Sequence, residues 1–289
     1  MKTTKLGNTD ITISAIGLGG MPMSLSSRPP ESQSMEVIHT ALDLGVTLID
    51  TADSYCQDES DKHHNECLIR KALQHYNGDT THVTIATKGG LMRPDGAWTC
   101  NGNPDHLRQA IRASFEALGG SKPLDVWQYH APDPSYTIEE ALQPVKEAIN
   151  YGLIRFVGVS NFSVKQIKRA REVVDVVSVQ NEYNPWRRTP EFDGVLEYCE
   201  TQGLTFFPYR PLGGRSRVGN LQNISVIAQL AAEKGASVYQ IVLAWLRAKS
   251  ACIVPIPGAS QVSSIEDSVG AVEVKLSSEE VARVDKSTT

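Results

Sequence analysis

Eight short apolar runs recur along the chain, each followed by a longer segment of helical periodicity, and few architectures accommodate that rhythm. The runs are AIGLGG (15–20), VTLID (46–50), VTIATK (83–88), DVWQYH (125–130), IRFVGVS (154–160), VVSVQ (176–180), TFFPY (205–209) and CIVPIP (252–257). Nearly all are apolar on successive residues and rich in Val and Ile, as parallel strands covered on both faces must be. A hairpin precedes them, where polar GNTD separates KTTKL from ITIS. Helix starts are readable between the runs: Asn103-Pro104 puts Pro at the first helical position, and Thr137/Glu140, Ser237/Gln240 and Ser277/Glu280 have capping-box spacing. An extra helix is expected near 224–234, ahead of the last strand. The pattern predicts an α/β fold, a closed (β/α)8 TIM barrel with an N-terminal β-hairpin and extra helices; an open doubly wound sheet is the alternative. No low-complexity segment or Pro/Gly/Ser linker divides the 289 residues, so one domain over 1–289 is expected.

Charge and composition narrow what such a barrel would bind. A formal net charge of -5 without a basic block gives no electrostatic footprint for nucleic acid or an anionic membrane surface. No apolar stretch approaches the roughly 18 residues of a membrane span. Small molecules are therefore the expected partners. The start, MKTTKLGNTD, lacks the apolar core of a signal peptide, and the five cysteines are an odd number scattered through the chain, so a reducing, cytoplasmic setting is expected.

Barrel interiors are packed with apolar side chains, which makes a titratable residue at the C-terminal end of a strand informative. Asp50 closes the second run, Lys88 the third and His130 the fourth, and Tyr55 lies near enough to Asp50 to fold back over it. One such residue is ordinarily a loop anchor; four complementary types on three successive strand ends are harder to ascribe to chance. A Tyr hydroxyl has an ordinary pKa of about 10, and a nearby ammonium lowers it by about 1–3 units. Lys88 is expected to play that part, Asp50 to keep Lys88 charged and oriented, and His130 to hydrogen-bond the substrate oxygen. Together these groups describe a general acid matched to a developing alkoxide.

LIDTADSY (48–55), TIATK (84–88), DVWQYH (125–130), GVSNF (158–162) and VQNEYN (179–184), in this order and spacing, resemble the aldo-keto reductases. The resemblance runs from about Lys5 to the final helix. It implies a (β/α)8 barrel, a nicotinamide cofactor held without a Rossmann domain, a small-molecule carbonyl substrate, and a tetrad of Asp50, Tyr55, Lys88 and His130. A monomer or weak oligomer is the expected assembly. A cofactor-binding regulatory subunit with slow turnover is the alternative, since the family resembles potassium-channel β subunits as well as free enzymes.

The same resemblance implies cofactor contacts. Ser160, Asn161 and Gln180 match positions that hydrogen-bond the nicotinamide carboxamide, and Tyr209 matches the aromatic on which the ring stacks. Arg210, and the Leu212-Gly213-Gly214 turn through its backbone amides, are expected near the phosphates. Gly258, Ser260 and Gln261 in IPGASQVSSIEDS (256–268) sit where relatives bind the adenosine phosphate at a helix start. Many relatives carry Lys or Arg there, whereas this chain has Ser260 and Gln261. NADP(H) is expected ahead of NAD(H), on the strength of hydroxyl and backbone donors.

Other motifs carry less. Cys56, His63, His64 and Cys67 are zinc-ligand types without a recognised spacing, so no metal is expected. Gly17-Leu18-Gly19-Gly20 lacks the third glycine of a dinucleotide fingerprint, Pro22 standing in its place. CQDESDKHH (56–64) is longer and more polar than the usual link and is expected to narrow the substrate entrance. Trp98, Trp186, Met21 and Met23 are candidates for the substrate pocket, and Trp127 and Trp245 for the core.

Overall fold

The computed structural model describes residues 1–288. The chain opens with an antiparallel hairpin, β1 (Thr3–Lys5) against β2 (Thr12–Ser14), with Thr3 opposite Ser14. The next strands are β3 (Leu18–Gly19), β4 (Leu48–Asp50) and β5 (Thr84–Gly89). A small antiparallel excursion, β6 (Leu91–Met92) with β7 (Thr99–Cys100), then leaves the barrel rim. The chain returns through β8 (Leu124–Tyr129), β9 (Ile154–Ser160), β10 (Val176–Glu182) and β11 (Thr205–Tyr209). The seven strands β3, β4, β5, β8, β9, β10 and β11 are neighbours in that order, all parallel.

The expected eighth strand closes the ring without forming a regular ladder. Pro255 and Pro257 have no N–H to donate. The run 252–258 therefore accepts from β3 (Gly17 N to Pro255 O and Gly19 N to Pro257 O, both 2.9 Å) and exchanges bonds with β11 only through Cys252 and Val254. The result is a (β/α)8 barrel, its eighth staves reduced to bridges at Ile253 and Gly258.

Helices α1 (Glu31–Asp43), α2 (His64–Gln74), α3 (Pro104–Ala117), α4 (Ile138–Asn150) and α5 (Val164–Val173) return the chain to the start of the next strand. After β10 come α6 (Thr189–Phe192) and α7 (Val195–Gln202); after β11, α8 (Ser225–Lys234) and α9 (Val238–Lys249). The closing run leads to α10 (Val262–Gly270) and α11 (Ser278–Ser287). The extra helix expected near 224–234 is α8. Asn103 caps α3, and the three expected capping boxes are formed at Thr137, Ser237 and Ser277. A fourth, Ser163 with Gln166, starts α5. Among the described residues no helix is long and apolar enough to cross a membrane.

Strand periodicity assigns each side chain to one of two cores. Ile49, Ile85, Trp127, Val157, Val179 and Phe206 point outward and pack under the helices. Leu48, Ala86, Val126, Phe207 and Val254 point inward and fill the barrel, whose lower end Leu6 and Ile13 of the hairpin plug. One inward step further along three of these strands stand Asp50, Lys88 and Gln128, so the site rests directly on the interior apolar layer. Gly158 shares this level. A Cβ there would lie 2.4 Å from Ser178 Oγ and 2.8 Å from Gln128 Cγ, so the interior has room for those side chains only because position 158 has none. Gly158→Ala is expected to lower stability by about 1–3 kcal/mol through overpacking. Thermal unfolding measures this, and an unchanged midpoint would refute the crowding argument.

Candidate active site

The loop after β4 is pinned before it reaches the site. Thr51 N donates to Ala86 O (2.8 Å) and Asp53 N to Lys88 O (3.0 Å), which continues the pairing to β5 past the end of the strand. Thr51 Oγ1 donates to Asn65 Oδ1 (2.7 Å), and the Asn65 amide donates to Gly20 O (2.9 Å) and Ser24 Oγ (2.7 Å). Asn65, fully buried in α2, thus ties the first two βα loops together. Tyr55 is turned back over the end of β5.

Lys88 is fully buried and has three acceptors: Asp50 Oδ1 at 2.7 Å, Thr51 O at 2.8 Å and Tyr55 Oη at 2.9 Å. An ammonium has three protons and all three are used. Tyr55 therefore accepts from Lys88, and its own proton is free to be donated elsewhere. Asp50 is braced on its other oxygen by Gln180 Nε2 (2.8 Å) and Gln128 Nε2 (3.4 Å). His130 stands across the cavity from this cluster, its ring 5.9 Å from that of Tyr55 and edge-on to it, with Nδ1 3.5 Å from Ser54 Oγ.

Burial dominates the ionisation of the cluster. It holds Tyr55 well above the ordinary phenol range, and the Asp50 charge pushes the same way. This differs from the expected lowering by Lys88: Asp50 stands against the ammonium and opposes its field at the phenol, while desolvation disfavours the phenolate. Burial also pulls Lys88 down, opposed by Asp50. Burial, aided by the Lys88 charge, holds His130 well below the ordinary imidazole range, so its ring is neutral near pH 7.

Tyr55, Asp50 and His130 open into a cavity of about 770 Å³ that runs from Trp98 to the start of α10. Of the residues proposed for cofactor contacts, Ser160, Asn161, Gln180, Tyr209, Arg210, Leu212, Gly258 and Ser260 line it. Gly213 and Gln261 do not. Gly213 (φ +82°) makes the turn, but the ring of Trp186 covers its Cβ position at 2.4 Å; Gln261 is exposed and precedes α10 without a side-chain cap. Asn161 is held at φ +61°, rare for a side-chain-bearing residue. Its amide donates to His130 O (3.0 Å) and Ser160 Oγ (3.2 Å), and its Oδ1 accepts from Tyr209 Oη (3.0 Å). Gln180 has spent its amide protons on Asp50 and Gln128 (3.3 Å), leaving Oε1 as the acceptor for a ligand amide.

Features beyond the expected set also line the cavity: Pro22 and Leu25 from the first loop, and Ser263, Ser264 and Asp267 from α10. Arg215 lines it too, and donates to Ser26 O (3.2 Å) and to Ser27 Oγ across the groove. Of the four pocket candidates, Trp98 and Met21 reach the cavity; Met23 is core and Trp186 packs behind Gly213. Trp127 and Trp245 are fully buried. The segment 56–64 does not border the cavity. Its turn at Glu59–Asp61 lies against the β6–β7 excursion, bonded to Arg93 instead. His63 pairs with Glu66 (2.6 Å) and His64 with Ser24 (2.8 Å). Among the described residues no three His, Cys, Asp or Glu side chains are grouped to hold a metal. Gln128, which sequence reasoning passed over, was signalled by its place two residues before His130 on the same strand face.

A largely apolar cavity with a few polar groups, at the C-terminal ends of the strands and over a buried Lys–Asp–Tyr cluster, is the arrangement of a barrel enzyme. The model of the Aldo/keto reductase family matches residues 15–288, and the chain belongs to that family. An uncharacterized oxidoreductase of Schizosaccharomyces pombe is 36% identical over 291 residues, covering 98% of this chain and 89% of that protein. The crystal structure of a thermostable aldo-keto reductase, Tm1743, in complex with the inhibitor epalrestat superposes with a TM-score of 0.84 at 31% identity, over 99% of this chain and all of that one. The glycerol dehydrogenase AKR11B4 of Gluconobacter oxydans shares the fold, with a TM-score of 0.85 at 24% identity over 99% of this chain and 94% of that one. Membership carries nicotinamide-dependent carbonyl chemistry in general.

Asp53, two residues before Tyr55, is fully buried, and neither carboxylate oxygen has a hydrogen-bond partner; Lys62 Nζ is 3.5 Å away. Burial pushes its pKa up to about 7, against the opposing charge of Lys62. The folded state thus binds a proton that the unfolded state releases near pH 4, so this group's contribution to stability falls as pH rises from about 4 through about 7, by at most about 1.4 kcal/mol per pH unit. His130 contributes the opposite slope below about pH 6.5, because the unfolded chain takes up the proton there. Denaturant unfolding of wild type and Asp53→Asn at pH 5 to 8 separates the two, His130 being common to both. The difference should grow in favour of the variant as pH rises, and a constant difference would refute the assignment.

Proposed function

We propose that the chain reduces an aldehyde or ketone to an alcohol, with Tyr55 as general acid assisted by Lys88, Asp50 and His130. The observation that carries this reading is the saturation of the Lys88 ammonium. With its three protons on Asp50, Thr51 and Tyr55, the phenol's own proton is the one left to point at a ligand. A bound nicotinamide cofactor supplies the hydride. As the carbonyl carbon gains that bond, its π electrons move to oxygen, which takes the Tyr55 proton; the phenolate left behind keeps its Lys88 hydrogen bond. Neutral His130 donates a second hydrogen bond to the same oxygen. Asp50 holds Lys88 in place throughout, with Gln180 and Gln128 holding Asp50.

The residues present fit the cofactor. Tyr209 offers a ring face, Ser160 a hydroxyl, Asn161 and Gln180 amide groups, and Gly258 the close approach of backbone to the groove. At the far end, Ser260, Ser263 and Ser264 beside the start of α10 supply hydroxyl and backbone donors for a phosphate, which is the reading that puts NADP(H) ahead of NAD(H). Arg210 and Arg215 also line the cavity, and on this reading are the cations available to cofactor phosphates.

Tyr55→Phe is expected to lower kcat by about 10²–10⁴-fold while cofactor affinity, followed by protein fluorescence, moves less than about threefold. An unaltered rate in that variant removes Tyr55 from its role. Comparing kcat/KM with NADPH and NADH tests the cofactor preference, and tight cofactor binding with negligible turnover on a panel of carbonyls would favour the regulatory alternative.

A further inference from the structure

Arg93 is 7% exposed, yet its Nε and Nη1 have no hydrogen-bond partner. A buried guanidinium with unpaired N–H groups is costly, so the position it occupies needs a compensating contact. That contact is Trp98: the Arg93 guanidinium lies 4.0 Å from the centre of the indole. The two residues are brought together by the β6–β7 excursion, where Leu91 pairs with Cys100 and Met92 with Thr99 across a tip whose Asp95 (φ 49°) and Gly96 (φ 79°) are both left-handed. Arg93 is anchored from behind by the segment after Tyr55: its Nη2 donates to Gln57 O (3.1 Å) and its backbone N–H to the Glu59 carboxylate.

Trp98 is 44% exposed, lines the cavity, and presents an edge to His130 with ring centres 6.4 Å apart. A half-exposed indole on a short excursion has no core to fix it. Arg93 on one side, tied to the 57–59 backbone, supplies that fixation.

We propose that Arg93 is a positioning residue that holds Trp98 as a rigid wall of the substrate compartment, so that the site favours planar aromatic carbonyls over saturated ones. The proposal rests on the reductase reading above. With the carbonyl oxygen at Tyr55 and His130, a flat ring meets a fixed indole and gains stacking that a puckered ring of the same size does not. The polar segment 56–64 then acts on selectivity from outside the cavity, through Arg93, without bordering the entrance.

The test is steady-state kinetics with benzaldehyde and cyclohexanecarbaldehyde for wild type, Arg93→Met, Trp98→Leu and the double variant. Wild type should show the higher kcat/KM for benzaldehyde. Arg93→Met should raise its KM about tenfold with kcat moving less than about twofold, and should alter the saturated aldehyde much less. In the Trp98→Leu background the Arg93 change should have no further effect, because Arg93 acts through the indole. Equal effects on the two aldehydes, or additive effects of the two substitutions, would overturn the proposal. Should Arg93→Met not be recovered folded, Arg93→Lys keeps a cation over the indole but loses the Nη2 hydrogen bond to Gln57 O; an intermediate preference supports the proposal and an unaltered one overturns it. A wild type that oxidises no cofactor with either aldehyde would sink the reductase reading and this proposal with it, whereas an active wild type whose preference ignores Arg93 sinks this proposal alone.

Discussion

The buried pair of Lys88 and Asp50 is the interaction on which the site depends. Two charges placed at the top of an apolar barrel interior are tolerable only if every proton and most lone pairs are satisfied, and here they are: three acceptors for the ammonium, and amide donors from Gln128 and Gln180 on the second carboxylate oxygen. The arrangement recruits four strands and the first turn of a loop. It also fixes the direction of the Tyr55 hydroxyl, because the phenol is drawn in as the third acceptor. The phenol is thus oriented by the same bonds that make the buried charge affordable.

Much of the architecture was legible in the sequence because strands buried on both faces must read as continuous apolar runs, and because capping boxes act locally. Thr137, Ser237 and Ser277 begin helices for reasons contained within four residues. The meeting of Asp50, Lys88 and His130 was legible too, since each ends an apolar run and parallel strands deliver their ends to one rim. What the sequence left obscure lies in long-range geometry. The prolines at 255 and 257 sit in a run that reads as a strand, and they thin the eighth stave to two bridges because the missing N–H groups are needed only when a neighbour is present to accept them. Gly213 makes its turn with Trp186 over it, a contact between segments 27 residues apart in sequence, so it stands behind the cavity wall rather than in it.

The electrostatics were the least legible part. Sequence proximity of types suggested that Lys88 would draw the Tyr55 pKa down, and the sign came out opposite because Asp50 stands beside the same ammonium and water is excluded from the phenol. Burial is a property of the whole fold and no spacing rule contains it. The same reasoning covers Arg93 and the 56–64 segment. A polar stretch next to Tyr55 reads as a lid, yet its turn lies against the β6–β7 excursion, where Gln57 holds the Arg93 guanidinium that covers the Trp98 indole.

A raised Tyr55 and a depressed His130 have one consequence in common. Each of the two side chains that the proposed reaction sets against the substrate oxygen rests in its neutral, proton-bearing form, while the charges of Lys88 and Asp50 are paired with one another beside the phenol. In that proposed reaction a neutral carbonyl oxygen meets two neutral donors, and the interaction strengthens as negative charge develops on that oxygen and the field of Lys88 finds something to act upon. Stabilisation that grows along the reaction lowers the barrier, whereas equal stabilisation of bound substrate would not.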